Sequence, residues 1–265
     1  MYTVSVVTVA GANMKLRKAI IVIAALEFSL ALSAYATPPR PEVSWKELFT
    51  KQGILVEMGL VAGSPNYAFR GTGIVQTNIG RVISTLYDHT HANRWVHKLA
   101  ESKALRDGNL SMVVWQRFDN PWPVKDRDFV YLANPTYDEE KKYFRASFSD
   151  ITDTDIMLTD AERSRIPDQS CCVVGKLIYT EWQFRATGPK STCVRVEVMF
   201  DPKGKVLAFF ANGFLKKWPK STIEGLQVQA LREDVTLHEV FGNWVAERQH
   251  SMISEEECME GKLEE

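Results

Sequence analysis

The sequence has little of what marks nucleic-acid-binding or serine-hydrolase proteins. Its 32 Lys and Arg residues nearly balance 33 Asp and Glu residues, which leaves a net charge of −1 over 265 residues. A protein without bulk basic charge is not expected to bind nucleic acid. No G-x-S-x-G segment is present, so a serine nucleophile on a strand–helix turn is not indicated. Internal repeats and low-complexity tracts are also missing, which favours one globular domain.

Cysteine is scarce, and its placement limits both metal binding and disulfide pairing. The four residues, Cys171, Cys172, Cys193 and Cys258, have no spacing typical of a metal site. Adjacent cysteines rarely bridge each other because the geometry is strained. We therefore expect either one cross-strand disulfide that joins Cys193 to Cys171 or Cys172, or free buried thiols.

Three polar clusters could support chemistry, but each has a simpler structural interpretation. The histidine group consists of Asp88, His89, His91 and His97. No fourth ligand is fixed by its spacing, so neither a metal nor a cofactor is expected. Arg127–Asp128 is interpreted as a loop-anchoring ion pair or backbone cap. Glu181 and Glu197 are interpreted as outward strand charges rather than an acid–base pair, so the sequence predicts no catalytic residues.

The N-terminal apolar run is too short for an ordinary membrane span. Ala19–Leu32 has 14 residues and contains Glu27. Three cationic residues precede the run, and Ser33–Ala36 ends in an A-x-A pattern. These features predict a signal peptide over residues 1–36, with Met14 as an alternative start, and cleavage after Ala36. The protein would then be periplasmic or secreted; an uncleaved anchor is the alternative interpretation.

The rest of the chain predicts an α+β domain over residues 37–250 and an acidic tail at 251–265, interpreted as disordered. The segments Ile54–Leu60 and Tyr67–Val75 read as a hairpin. Helices are expected at Trp45–Lys51, Ile79–Tyr87, Trp95–Leu99 and Leu207–Trp218. Further strands are expected at Ala104–Asp107, Ser111–Phe118, Asp128–Ala133, Tyr143–Asp150, Val173–Ala186 and Cys193–Phe200. Loops are expected at Asn120–Pro123 and Asp153–Gln169.

One long amphipathic helix is predicted from Ser221 to about Gln249. It follows Pro219, and its Ser can act as an N-cap. Its apolar residues recur at helical spacing and form one stripe: Ile223, Leu226, Ala230, Leu237, Phe241 and Trp244. Such a helix either packs into a core or lies as a lid over a cavity.

The strands indicate what this helix lies on. Val194, Val196 and Val198 alternate with Arg195 and Glu197, and the other central strands alternate in the same way. A curved antiparallel sheet with one apolar face, wrapped around the long helix, accounts for this pattern. Where such a sheet curves strongly, space that side chains do not fill becomes an apolar cavity.

Two motifs carry a resemblance to a known family. Asn120–Val130 reads NPWPVKDRDFV, and Phe200–Gly204 reads FDPKG ahead of Ala211–Asn212 and Leu215–Pro219. In this order and spacing they resemble the START domains, lipid-transfer domains related to steroidogenic acute regulatory protein, here of an exported bacterial type. Trp95 is a weaker third match. The resemblance covers roughly residues 43–249.

The resemblance implies a helix-grip fold that holds a single lipid between the sheet and the long helix. Steroid-handling members carry a charged pair inside the cavity, and an ungapped alignment places Val114 and Ala133 at those positions. The sterol preference is therefore not carried over. Together with strand alternation, the resemblance predicts ten lipid-binding residues, Val114, Tyr131, Ala133, Phe148, Trp182, Phe184, Val196, Val198, Leu237 and Phe241, with Tyr131 as the polar contact.

The expected function is binding and carriage of a hydrophobic lipid (sterol, phospholipid or fatty-acyl type) by a monomer. It would make transient contact with a membrane surface, for which Lys216–Lys217, Trp218 and Lys220 form a small basic and aromatic cluster. A solvated face is the simpler interpretation of that cluster. One alternative is a helix-grip enzyme of the cyclase or hydratase type. Another is an interaction module whose pocket is filled.

Overall fold

The computed structural model describes residues 41–62, 64, 66–108, 110–151, 158–201, 203, 208–245 and 252–263, with the backbone alone at 208–214. The predicted signal peptide at 1–36 lies outside these residues, as do 153–157 of the predicted loop and 246–249 of the predicted helix. The strands are β1 (Val43–Lys51), β2 (Ile54–Val61), β3 (Tyr67–Val75), β4 (Leu99–Asp107), β5 (Met112–Phe118), β6 (Arg127–Asp138), β7 (Tyr143–Asp150), β8 (Val173–Val174), β9 (Lys176–Gly188) and β10 (Ser191–Asp201). The helices are α1 (Ile79–Tyr87), α2 (Asp160–Arg163), α3 (Ala208–Ala230) and α4 (Glu255–Glu260), and a 3₁₀ helix covers His89–Arg94.

The strands form one ten-stranded sheet in the order β1-β2-β3-β10-β9-β7-β6-β5-β4. Neighbours in this order are antiparallel, and β8 adds a short parallel pair to β6. Helix α3 packs against β2, β3 and β10. An antiparallel sheet that holds a long helix is the helix-grip arrangement expected from the sequence.

The first strand corrects one prediction. Residues 45–51 were expected to be helical, but they belong to β1, which pairs with β2 from Val43↔Val61 to Lys51↔Ile54. Gln52 and Gly53 join the two strands with φ of 55° and 73°. Two left-handed residues in a two-residue loop match the twist of a hairpin. This tight turn and the pairing it creates override the weak helical pattern.

Helix α1 has the predicted bounds, whereas the next predicted helix is absent from the described chain. Asn78 caps α1, because its side-chain oxygen accepts a hydrogen bond of 3.0 Å from the amide of Arg81. A helix was expected at Trp95–Leu99. The structure instead has the 3₁₀ helix before Trp95 and starts β4 at Leu99, after Lys98 adopts a left-handed φ of 65°.

The long helix exists, but its predicted bounds are wrong. It runs without a break through Pro219 and ends at Ala230. Its C-terminal carbonyls are capped from another helix, since Nε of Arg81 donates to the Ala230 oxygen at 2.8 Å. The following residues, 231–245, form turns rather than helix. Leu237 is consequently half exposed at 45% instead of lying on a helical stripe.

Two glycines set how closely α3 approaches its neighbours. A Cβ at Gly71 of β3 would lie 2.7 Å from the Cβ of Pro219, so the glycine makes room for the proline. A Cβ at Gly225 of α3 would lie 2.2 Å from the backbone oxygen of Trp95. The middle of α3 is therefore in direct contact with backbone on one side and with the sheet on the other.

Residues 252–263 of the acidic C-terminal segment are ordered, which corrects the prediction of a disordered tail for this part of it. Ser254 and Glu257 form a capping box that starts α4. Cys258 is joined to Cys193 of β10 by a disulfide, and Ile253 and Leu263 are buried beside it. Arg185 donates to the Leu263 oxygen at 3.0 Å.

The cysteine pairs also differ from expectation. Neither predicted partner of Cys193 is used, because Cys171 and Cys172 are bridged to each other. The Cys193–Cys258 bridge spans a sequence separation of 65 residues. Local spacing could not indicate it, since the two cysteines meet only when the tail packs on the sheet.

The described part of the predicted loop at 153–169 contains a short helix. Thr159 and Glu162 form a capping box at the start of α2. Glu162 also pairs with Arg106 of β4, at 2.6 and 2.8 Å. Leu158 packs with Trp115 and Val130 on the sheet face opposite α3. Within the described ranges, no helix combines the length and apolar character that crossing a bilayer requires.

Candidate functional site: an apolar cavity

A cavity of about 590 Å³ lies between the apolar face of the sheet and the elements that cover it. Strands β5, β6, β7, β9 and β10 supply its floor. Its cover comes from the 3₁₀ helix and the residues after it, the loop at 119–126, and Lys217 and Trp218 of α3.

Strand register brings the floor residues together. Val114 of β5 pairs with Tyr131 of β6, and Ala133 of β6 pairs with Phe148 of β7. Alternate residues of a strand point to the same face, so these side chains share one surface. The Tyr131 and Phe148 rings meet edge to face, with centroids 5.3 Å apart. The floor is therefore a continuous apolar and aromatic surface.

Six of the ten predicted residues line this cavity: Val114, Tyr131, Ala133, Phe148, Trp182 and Val198. The other four do not. Phe184, Val196 and Phe241 are fully buried in the packed core beside the cavity. Leu237 lies in the non-helical segment after α3 and is half exposed. Alternation identified the correct sheet face, but part of that face is covered by packed side chains.

The sequence reasoning missed lining residues of two kinds. The first continues the same alternation at Gln116, Phe118, Arg127 and Phe129, and simple extension of the pattern would have found them. The second comes from the cover: Trp95, His97, Lys98, Lys217 and Trp218. Their signal was hidden because the helices that would carry them were predicted with the wrong bounds.

Tyr131 places a phenolic hydroxyl among the residues of the cavity floor. Burial raises the pKa of Tyr131 well above its ordinary value, so the hydroxyl stays protonated. No hydrogen-bond partner for this hydroxyl is present among the described residues. By contrast, the Tyr87 hydroxyl donates to the Leu110 oxygen at 3.0 Å, and burial raises the pKa of Tyr87 too. Tyr131 is thus the available hydroxyl of the floor.

Arg127 and Asp128 have separate roles because they are consecutive residues of β6. Asp128 is fully buried and accepts two hydrogen bonds from Arg117, at 2.8 and 2.9 Å. Arg127 points to the cavity face and donates to the backbone oxygens of Lys125 and Lys203. The predicted backbone cap is therefore confirmed for Arg127, while the ion partner of Asp128 is Arg117.

The histidine group is divided: His89 and His97 line the cavity, whereas Asp88 and His91 do not. His91 Nδ1 is 2.6 Å from a carboxylate oxygen of Asp88. Across the described ranges, no three His, Cys, Asp or Glu side chains are grouped closely enough to hold a metal ion. Glu181 and Glu197 are 2% exposed on the opposite sheet face, where they approach Arg145 at 3.4 Å and Arg70 at 3.5 Å. They are buried ion pairs rather than outward charges.

Comparison with known proteins identifies the fold. No known protein-family profile matches the sequence. An uncharacterized protein of Pseudomonas aeruginosa is 25% identical over 209 residues, which cover 79% of this chain and 95% of the relative.

Three solved structures are similar in fold. Human STARD10 has a TM-score of 0.60 and 16% identity, and the match covers 71% of this chain and 74% of that one. The human StAR-related lipid transfer protein 5 has a TM-score of 0.60 and 15% identity, and the match covers 81% of this chain and 97% of that one. A STAR-related lipid transfer protein fragment from Xanthomonas axonopodis has a TM-score of 0.57 and 19% identity, and the match covers 71% of this chain and 99% of that one. The chain has the fold of START domains.

Proposed function

We propose that the protein binds a single hydrophobic lipid in the cavity and carries or presents it. The observation that carries this proposal is the cavity itself, about 590 Å³ in volume with a predominantly apolar lining, inside a START fold. Burial of lipid surface there would contribute about 25 cal/mol for each Å² removed from water. Two of the three similar structures are described as StAR-related lipid transfer proteins, which supports the same ligand class here.

The cavity lining favours a carrier over an enzyme. A cyclase or hydratase needs positioned acid and base groups beside its substrate. His89 and His97 line the cavity, but no Asp or Glu is found among the described residues that line it. The cavity also counts against an interaction module with a filled pocket. We therefore infer a non-catalytic role, in which the six predicted lining residues contact the lipid and the Tyr131 hydroxyl accepts or donates one hydrogen bond to it.

Trp122 provides a means of contact with a membrane. It is 93% exposed in the loop at 119–126, and Asn120, Pro121 and Val124 of the same loop line the cavity. Tryptophan favours the interface between water and lipid. We infer that this loop touches the membrane surface while a monomer exchanges its lipid. A Trp122→Ala variant should lose binding to phosphatidylcholine vesicles in a sedimentation assay, with unchanged thermal stability; unchanged sedimentation would contradict this contact.

Export to the cell envelope completes the proposal. It rests on the sequence pattern of residues 1–36, and we infer an exported bacterial protein that is periplasmic or secreted after cleavage. Intact mass of protein recovered from the periplasm or medium tests this, since loss of 36 residues is expected. Soluble protein that retains residues 20–35 would contradict it.

The direct test of lipid binding is mass spectrometry of natively purified protein. We expect one lipid molecule for each chain under native conditions and a hydrophobic compound in the organic extract. Protein that carries no lipid, and that captures no fluorescent lipid after delipidation, would contradict the proposed function.

A further inference from the structure

The charged side chains that line the cavity all have the same sign. Lys98, Arg127 and Lys217 are cationic, and the described lining contains no carboxylate to balance them. Apolar atoms make up most of the remaining surface. An apolar body combined with charge of one sign matches an amphiphile whose head carries the opposite charge.

These three residues lie at one end of the cavity, which we name the cationic end. Arg127 pairs with Phe118, the last residue of β5. The amide of Asp119, the next residue, donates to the Lys98 oxygen at 2.9 Å. Lys98 and Arg127 therefore flank the base of the loop at 119–126.

Lys217 reaches the same end from α3. The His97 amide donates to the Thr222 hydroxyl at 3.2 Å, which fixes this part of α3 beside His97 and Lys98. Burial is the largest cause that lowers the pKa of His97, and the charges of Lys98 and Lys217 lower it further. Both lysine charges therefore act on the same ring, and the cations face a shared space.

Arg127 extends this charge into the interior. It is 5% exposed, and its guanidinium donates to the Lys203 oxygen at 3.3 Å as well as to the Lys125 oxygen. Burial lowers the pKa of Arg127, and the charge of Asp126 opposes that shift. Asp126 itself accepts a hydrogen bond from the Asn120 amide and does not line the cavity. A buried guanidinium in the wall favours a ligand with negative charge.

The backbone and exposure of Lys98 describe the cationic end further. Its φ of 65° is in the left-handed region, which Gly or Asn adopts at less cost than Lys. Lys98 is also exposed, so the cavity reaches the surface at the cationic end and a charged head can remain partly hydrated there.

We propose that the cavity selects a lipid with an anionic head, a carboxylate or a phosphate, whose head contacts the cationic end while its chains fill the apolar floor. The proposal rests on the proposed lipid-binding function and names the ligand class within it. Free fatty acids and anionic phospholipids share this chemistry.

Matched probes that differ only in the head test the proposal. Displacement of a fluorescent lipid from the delipidated protein would compare hexadecanoic acid with its methyl ester, and dioleoyl phosphatidic acid with dioleoylglycerol. We expect the anionic member of at least one pair to bind about tenfold more tightly, because hydrogen bonds to charged groups are the strong ones. The pair that shows the preference distinguishes a carboxylate head from a phosphate head.

Variants connect that preference to the cationic end. Lys98→Asn combined with Lys217→Gln should remove the preference, so that the anionic and neutral members of each pair bind about equally. Asn is chosen because it tolerates the left-handed backbone. The controls are Lys142→Asn, at another left-handed lysine with φ of 49°, and Lys216→Gln, beside Lys217 but outside the cavity lining. Both controls should keep the preference.

The outcomes separate the two proposals. Equal binding of anionic and neutral probes, or equal loss of both in the double variant, would overturn the anionic-head proposal and leave lipid binding standing. Failure of all four probes to bind would overturn lipid binding and the anionic head together.

Discussion

Two parts of the same sheet face are covered in different ways. Around β3, β10 and the end of β9, Phe184 and Val196 are fully buried against Phe241 and neighbouring side chains. Around β5 and β6, Val114 and Tyr131 face a cavity of about 590 Å³. The first part lies under α1, α3 and the turns at 231–245. The second is covered by the 3₁₀ helix, the loop at 119–126 and Lys217 and Trp218 of α3.

The difference shows that strand alternation and cavity formation have separate causes. Both parts present apolar side chains with period two, because both face the same layer. Whether these side chains are packed depends on the covering elements, which come from distant parts of the chain. Aromatic rings close the packed part, with Phe144 and Phe241 centroids 5.1 Å apart. Substitutions in the two parts should therefore have different effects on stability and on lipid capture.

Truncation of an aromatic residue should show the largest difference. Phe184→Ala removes a fully buried ring from the packed part and should lower the free energy of unfolding by about 3–5 kcal/mol. Phe148→Ala, its matched change in the cavity wall, should lower it by less than half as much, because one side of that ring already lacks packed neighbours. Urea denaturation of both variants measures this. Equal losses would show that the two parts are packed alike.

Removal of the Cys193–Cys258 bridge should weaken the fold without altering the cavity. With both residues changed to Ala, we expect a loss of about 2–4 kcal/mol, because the bridge restrains a long loop of the unfolded chain. Fluorescent-lipid binding by the folded protein should be unchanged, since the bridge lies outside the cavity lining. Changing Cys171 and Cys172 to Ala is the control and should cost much less. A large loss of binding in the first variant would indicate that the tail supports the cavity.

The Arg106–Glu162 ion pair joins β4 to α2, and β4 pairs with the cavity-lining strand β5. Its substitution tests how much this contact stabilises the fold. The pKa of Glu162 is lowered from 4.5 to about 2, and the largest cause is its hydrogen bonding with Arg106. The ion pair therefore stabilises fully above about pH 4.5, and its contribution is lost as the pH falls toward 2. Glu162→Gln should cost about 1–2 kcal/mol at pH 7.

A pH series of urea unfolding curves measures this prediction. The difference between wild type and Glu162→Gln should shrink between pH 4.5 and pH 2. Glu233→Gln, at an exposed carboxylate, is the control and should show no such change. A difference that stays constant over this window would exclude the ion pair as its source.

The smallest expected stability change comes from filling the cavity. Ala133→Trp should change the free energy of unfolding by less than about 1 kcal/mol and sharply reduce lipid capture, because the new ring enters open space. Ala186→Trp makes the same change in the packed part, where overpacking should cost about 1–3 kcal/mol or more. Thermal midpoints and fluorescent-lipid binding of both variants test this. A large stability loss with unchanged binding in Ala133→Trp would place Ala133 in the core.

Local sequence signals predicted the elements that depend on local chemistry. Strand β3 and helix α1 have the predicted bounds, and α1 is capped locally by Asn78. Strand β1 was predicted as a helix, because its pairing depends on the turn at Gln52–Gly53 and on a partner strand. Pro219 was interpreted as a helix stop, yet α3 continues through it where Gly71 leaves room. In each error, a contact from another element determined the result.

The residues of the candidate site were likewise predictable only where they depend on local sequence signals. Alternation and the family resemblance placed Val114, Tyr131 and Ala133 on the cavity floor. The cationic end could not be inferred from them, because Lys98 and Lys217 come from the cover. Lys98 and Lys217 come together only when the chain folds over the sheet, and no local sequence pattern indicates that arrangement.

The contact between Gly225 and the Trp95 backbone has a consequence for ligand exchange kinetics. A helix held this closely at its middle, with Pro219 seated on Gly71, cannot swing away as a hinged lid without breaking packed backbone contacts. We expect the rate of entry and release to depend on motion of the loop at 119–126. A covalent cross-link between α3 and β3 should therefore leave the exchange rate unchanged, whereas a cross-link across that loop should slow it.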